Sequence, residues 1–512
     1  MKTQAAIQKW PATITVTLGM IATIMATTMI NVAIADIMGA YGVGQGRVHW
    51  LVTGFLAATT ICMLLNAWFM RNLGPRNTFI LASALFTAAS VVGQVAPNFE
   101  TVVAARIVQG ACAGLIQPLG LNVIFMAFPR AERGRAMGMY GFGVTVGPAI
   151  GPIIGGIIVD AVDWHFVFTG SLPFMALGAV MATRYLPGRS DDIARMPLNW
   201  LSFLLVAVAV GFFLNGLSSG RRAGWDSATV LSLFLVSALA FIAFIEVESR
   251  TKRPLLNLKL FTYRSFAVTT LLSFVFGAGM FGAFYLMPVF VRTVQGYSGY
   301  KTGMLLLIAN LPSFVMFPIA GWIAQRIRPV YPIVAGILMF SASAFALSYV
   351  DQNTSFAAMA GWSSLGMTAL ALVMPALASA ALQDLDAELL PYGAGTMTFI
   401  RMLGGALGVG CLAIVLETRM LFHSAALTAT QTTETGMTGS LLTSIVDLLS
   451  KGGVSAADRW PYAYVYLGDM IAARANAMAF QDSYLVLSIG FAVAALCALT
   501  LARSKPIGAR VS

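Results

Sequence analysis

A chain of 512 residues in which 58% are hydrophobic and only 10% are charged cannot hide that much apolar surface from water as one or several soluble domains. Its solvent is therefore predicted to be lipid, and the unit to count is the spanning helix rather than the domain. The net charge of +11 does not point to nucleic acid, because the basic residues fall singly or in small groups between apolar runs instead of along one face.

Lys2 and Lys9 precede an apolar stretch from Thr13 to Ala35 that is longer than a signal-peptide core and has no clear small-residue cleavage site, so it is expected to remain as the first span. Fourteen apolar runs are each long enough to cross the hydrocarbon layer: 13–35, 49–70, 78–96, 101–128, 137–159, 166–186, 198–217, 228–247, 266–290, 302–324, 332–350, 356–382, 393–416 and 483–502. An even number puts both termini on one side. With the amino terminus inside, twenty Lys and Arg fall in inner segments against five in short outer loops, Arg47, Arg221, Arg222, Arg292 and Lys301. This predicts a bacterial inner-membrane protein with cytoplasmic termini. One inner loop departs from the pattern, carrying Asp384, Asp386 and Glu388 and no basic residue. The stretch 417–482 is the only long polar segment and is expected outside, as a partly helical excursion that includes the Thr-rich piece from Thr428 to Thr438.

The four cysteines, Cys62, Cys112, Cys411 and Cys497, lie in apolar stretches without metal-ligand spacing and are read as packing residues, so no metal is expected. His49, His165 and His423 are far apart and join no nucleophile–base pattern, which argues against an enzyme. A channel would call for a repeated pore ring, and none is visible.

A short internal repeat ties the ends of two spans together. Ala67 to Gly74 (AWFMRNLG) follows the second span and Gly321 to Arg328 (GWIAQRIR) follows the tenth. If spans seven and eight are an insertion, each copy occupies the loop after the second helix of a six-helix half. The organisation is then 1–187 as an amino-terminal bundle, 188–262 as two inserted helices, and 263–512 as a carboxy-terminal bundle bearing the external segment. Two such halves with a site at the midplane between them suit alternating access.

Two motifs carry a family resemblance. Arg106-Ile107-Val108-Gln109-Gly110, continuing through Ala113 and Gly114 to Pro118, lies in the fourth span, and the run from Gly143 to Gly156, with Gly147, Pro148, Gly151, Pro152 and Gly155, lies in the fifth. Weaker matches keep the same order: Trp50 to Thr53, Asp163 to Phe168, Pro254 to Phe261, Gln295 to Ser298, Arg401 to Gly408, Arg419 with His423, and Phe480 to Asp482. The chain thereby resembles the major facilitator superfamily, specifically its fourteen-helix drug:proton antiporters of the EmrB/QacA type. The resemblance implies an all-α integral membrane fold of two six-helix halves plus two inserted helices. It also implies export of hydrophobic or amphipathic compounds driven by the proton gradient, without a cofactor. An EmrB-like member would work with a periplasmic adaptor and an outer-membrane channel, contacted through 417–482; a QacA-like member would act alone. Three positions depart from the family pattern: Ala26 and Arg71 stand where acidic residues are usual, and Ala67 where glycine is. The family's usual coupling carboxylates therefore cannot be carried across.

Physical reading of the polar residues gives the candidate site. Arg106 would sit roughly 7–8 Å into the fourth span, where a charge is functional unless it snorkels to the interface. The resemblance gives it the role of repelling or relaying a proton. Gly147, Pro148, Gly151, Pro152, Gly155 and Gly156 make a bendable seam, expected between the two halves, or else a purely structural kink. Asn31 and Gln117 are expected to line a central cavity walled by Phe and Met, unless they only join helix to helix. Arg401, about 12 Å deep, needs a partner that the sequence does not name. Asp36 is the first candidate for the titrating group and Glu417 the second. No acidic residue lies near the middle of a span, which favours a neutral or weakly acidic amphipath over a quaternary cation as substrate. The loops Arg130–Arg135 and Asp384–Glu388 occupy corresponding ends of the two halves, as a latch or as independent solvated loops. A dedicated exporter of one endogenous metabolite or siderophore is the alternative function.

Overall fold

The computed structural model describes residues 8–499 except 44, 49, 130–131, 190–194, 252–253, 387 and 432–435. Lys2, Arg130, Lys252, Arg253, Arg503, Lys505 and Arg510 of the basic segments therefore lie outside the described residues. Every regular element among those described is helical. Thirteen helices are long and apolar enough to cross a membrane, and a bent pair, Trp50–Leu64 with Asn66–Asn72 at 53°, makes a fourteenth.

In chain order the spans are Lys9–Tyr41, the bent pair, Gly74–Gln94, Phe99–Ala127, Arg133–Ala161, Trp164–Tyr185, Trp200–Ala223, Ala228–Arg250, Arg264–Thr293, Gly299–Arg326, Val330–Leu347, Phe356–Leu382, Leu390–Thr430 and Arg459–Leu499. Their starts follow local chemistry. Asn98, Asn199, Ser227, Ser298 and Ser355 each accept a hydrogen bond from the backbone N–H three residues on, satisfying an otherwise orphaned donor of the first turn. The turn between the second and third spans needs Gly74, whose φ is +77° and whose missing Cβ would lie 2.5 Å from the backbone nitrogen of Arg189.

Two sequence expectations need correction. The segment 417–482 is partly helical, as expected, but its outer helices are continuations of the flanking spans: the thirteenth helix runs on to Thr430, the fourteenth begins at Arg459, and Gly436–Lys451 packs against the fourteenth. No glycine or proline interrupts 417–430 and Pro461 stands in the first turn of the last helix, where its missing N–H costs nothing, so the backbone has no reason to stop at the polar boundary. Of the cysteines, only Cys112 is a buried packing residue; Cys62 is half-buried, and Cys411 and Cys497 are exposed on helix surfaces. An apolar run fixes that a helix is in lipid, not which of its faces meets protein.

The two ends of the bundle differ. At the end where the predicted inner loops gather, here called the basic end, Leu121, Ile124, Phe125, Phe128, Ala136 and Tyr140 share one core with Phe266, Phe276, Leu377, Leu382 and Met397. At the opposite, hairpin end, Met25, Met29, Ile37, Leu51, Phe99, Val102 and Phe168 form a separate core that Phe314 of the tenth span touches. The amino- and carboxy-terminal helices are thus sealed together at the basic end. Spans seven and eight pack on each other, where Ser237 Oγ donates to the Ala209 carbonyl at 2.7 Å, and sit against the second and thirteenth spans. Trp68 Nε1 and Asn72 Nδ2 both donate to the Met196 carbonyl, at 2.7 and 2.9 Å, anchoring the strand of chain that leads into them.

Candidate functional site

Arg106 lies seven residues beyond Phe99, about 10 Å along the fourth helix, and is 1% exposed, so it does not snorkel. Its Nε donates to the Leu51 carbonyl at 3.1 Å, and its Nη1 donates to the Ala26 carbonyl at 3.1 Å and to Gln109 Oε1 at 2.9 Å. The guanidinium also lies over the Phe55 ring at 4.3 Å, while Nη2 is buried without a partner. Gln109 in turn donates to Ser90 Oγ at 2.8 Å. Two side chains on the fourth helix, Arg106 and Gln109, therefore tie together the first, second and third. No carboxylate joins the network among the described residues. Carbonyl dipoles and an aromatic face offset the cost of burying the charge only in part. The residue at Ala26 bears on this directly: its backbone carbonyl contacts the arginine, and a carboxylate there would stand beside it.

Arg401 is buried beside a polar neighbour that the sequence could not name, with its Nε unpartnered. It lies eleven residues beyond Leu390, about 17 Å along the thirteenth helix, and is 5% exposed. Its guanidinium lies close to the hydroxyl of Tyr140, a residue of the fifth helix that is 1% exposed and that donates to the Gln117 backbone carbonyl at 3.4 Å. The missing Cβ of Gly277 would lie 3.1 Å from Arg401 Cγ, so the ninth helix closes over the arginine stem. Tyr140 stands between Arg401 and the fourth helix, but it meets Gln117 only at the backbone carbonyl, and the Gln117 side chain takes no part in this contact. Sequence reasoning passed over Tyr140 because its Gly-rich surroundings read as a packing seam. The available signal was a lone phenol in an otherwise apolar run, which needs a polar partner.

The seam itself is corrected. The missing Cβ atoms of Gly143, Gly147 and Gly151 would meet Thr17, Ile24 and Thr28, the last at 2.1 Å, and that of Gly155 would meet Met29, all on the first helix. These glycines face a neighbour in the amino-terminal half, not the other half. Spacing of four residues puts them on one face, and the helix meets the tenth span through another, where Gly138 and Gly141 abut Pro318 and Phe317 and Phe142 packs on Phe314 at 5.3 Å. Gly156 has open space around it. Pro148 and Pro152 lie inside the continuous helix Arg133–Ala161.

The other candidates are dispersed. Asn31 and Asp36 are exposed on the half of the first helix nearer the hairpin end. Glu417 is half-buried with Oε2 unpartnered, and lies two residues before Arg419, whose Nε donates to Asp482 Oδ2 at 2.5 Å while His423 Nε2 shares the same oxygen at 2.7 Å. This cluster clamps the thirteenth and fourteenth helices at the base of the hairpin. At the basic end, Arg71 lies close to the Tyr392 hydroxyl, where the second and thirteenth spans meet. Glu248, 3% exposed, accepts from the Leu256 N–H at 3.0 Å and was not singled out in the sequence. Arg130 of the proposed latch lies outside the described residues, and Arg133 donates to the Phe125 and Phe128 carbonyls at 3.0 and 3.1 Å, closing the end of the fourth helix.

Comparison with known proteins agrees with this architecture. Residues 16–409 match the family model described as Major Facilitator Superfamily. The chain is 30% identical over 399 residues to the Bacillus subtilis protein named as the uncharacterized MFS-type transporter YcnB, covering 78% of this chain and 84% of that one. It is 28% identical over 395 residues to the multidrug transporter protein MdtP of the same organism, covering 77% and 72%. Among solved structures, the human organic anion transporter MFSD10 superposes with a TM-score of 0.62 over 96% of this chain and 99% of that chain, and at 14% identity this shows the fold alone.

Proposed function

The chain belongs to the major facilitator superfamily, and from that premise we propose that it is a proton-coupled antiporter that exports hydrophobic or amphipathic compounds by alternating access. Its relatives include multidrug-resistance transporters, which supports drug-like cargo. The observation that carries the reading is the approach of Arg401 of the thirteenth helix to Tyr140 of the fifth, whose hydroxyl reaches the Gln117 backbone carbonyl at 3.4 Å: polar groups from both halves meet at a buried seam. Buried polar groups at that depth are costly unless they serve a pathway or a site.

In this reading the basic end faces the cytoplasm of a bacterial inner membrane, as the loop charges favour. The shared core at that end makes the described state one closed to the cytoplasm. Cargo leaves toward the hairpin end, past Asn31. The fifth and tenth helices, in contact from Gly138 to Ile153, are the pair about which the halves rock. Arg106 acts as the fixed positive charge of the coupling machinery, and Asp36 and Glu417, on the exit side, are the groups that take up and release protons. The energy source is the gradient, worth about 2.3 kcal/mol per charge for each 100 mV, and no cofactor takes part. The helical hairpin offers a contact for a periplasmic adaptor that would hand cargo to an outer-membrane channel.

The test is an untargeted comparison of small molecules retained by cells with and without the protein, each with and without an uncoupler. A set of amphipathic compounds depleted only in energised cells that carry the protein is expected. Identical retained compounds in all four conditions would overturn the reading.

A further inference from the structure

We propose that the ligand held between the two bundles is an organic anion, bound head-first by Arg401 with the Tyr140 hydroxyl as its second contact. This deepens the transport reading above and rests on it.

The argument begins from the difference between the two buried arginines. Arg106 is engaged at Nε and Nη1 by three oxygens and lies over an aromatic ring. Arg401 is as deeply enclosed, at 5% exposure, yet its Nε has no partner and its polar neighbour is a neutral phenol. That phenol is itself loosely committed, reaching the Gln117 carbonyl only at 3.4 Å. A guanidinium presents its donors as a planar fork that fits a carboxylate or sulfonate, so an unfilled Nε edge is an unfilled anion site.

Among the described residues, no carboxylate is paired with Arg401. The carboxylates of ion pairs among the described residues, Glu132, Glu100, Asp163, Glu246, Asp482 and Asp447, lie toward helix ends or in connecting segments. A neutral ligand would leave Arg401 unpaired, and a quaternary cation would meet a like charge; an anionic head satisfies both the charge and the fork. The groups that would grip it sit on helices of opposite halves, with the stem of Arg401 held against Gly277, so a bound anion would bridge the seam that must open and close. The apolar body of the ligand would lie along Met20, Phe276 and Met280 of the shared core.

The test uses the full chain in nanodiscs and three probes on one scaffold: anthracene bearing a carboxylate, its methyl ester, and a trimethylammonium group. Binding is followed by fluorescence titration. The carboxylate is expected to bind at least about tenfold more tightly than the ester or the cation, in line with charge-assisted pairing. Arg401→Gln should erase that preference and leave ester binding unchanged, whereas Arg401→Lys should keep the preference in weaker form. Tyr140→Phe should weaken only the carboxylate, by a few-fold, and serves if Arg401→Gln does not fold. Equal binding of the three probes, a preference for the cation, no binding of any, or a carboxylate preference that survives Arg401→Gln would each overturn the assignment. Uptake of the same probes into proteoliposomes separates the two levels: tight carboxylate binding without any transport would refute the transport reading while sustaining the anion site.

Discussion

Arg106 and Arg401 show how far a single charged residue can be read from sequence. Depth alone marked both, because an arginine several turns into an apolar run must be engaged by protein or water. What depth could not supply was the partner: Arg106 takes carbonyls from two other helices, and Arg401 reaches a phenol distant in the chain. For Arg106 the planar fork is the point, since a lysine ammonium cannot hold the Leu51 and Ala26 carbonyls and Gln109 together. Arg106→Lys is expected to lower transport in proteoliposomes at least about tenfold, the loss of roughly one charged hydrogen bond, in a protein that still inserts. Full activity in Arg106→Lys would show that charge suffices without the network. The titrating groups are tested together. Replacing Asp36 by Asn and Glu417 by Gln in one chain should abolish export driven by a pH gradient while leaving exchange of labelled for unlabelled compound intact, and gradient-driven export that persists would remove both from the coupling role.

At the level of the helix, apolar runs located all fourteen spans to within a few residues for most of the chain, and caps such as Asn98 and Ser298 explain the starts. The last two spans were cut short because the sequence reading stopped each helix where polarity began. Helix-forming capacity continues past that boundary through Glu417 to Thr430, since a hydrated helix needs no apolar face all round. The fifth helix was located correctly and assigned the wrong neighbour. Its glycine row indicates close approach, and nothing in the row says by which helix. Gly151 against Thr28 and the open surroundings of Gly156 give a paired test on one element. Gly151→Ala should destabilise the protein by about 1–3 kcal/mol, read as a lower melting midpoint, and Gly156→Ala should change it little. Equal effects at the two positions would mean that the first and fifth helices do not meet as described.

For the molecule as a whole, the alternation of basic and non-basic loops and the paired motifs after the second and tenth spans made a two-part helical transporter legible in the sequence. Which end is sealed was not legible, because closure depends on contacts between helices from different halves, such as Phe125 with the carboxy-terminal core, that no local pattern encodes. The inserted spans seven and eight likewise read as a spacer, yet they pack on the second and thirteenth spans beside the Arg71–Tyr392 contact, at the closed end. In the proposed alternating-access cycle that closure is temporary, and the most direct test is to make it permanent. In a chain lacking its four native cysteines, Arg71→Cys and Tyr392→Cys would be joined by a short, reducible bifunctional thiol reagent, and transport into proteoliposomes measured before joining, after joining and after reduction. The account predicts transport that stops on joining and returns on reduction, whereas undiminished transport with the two spans held together would contradict it.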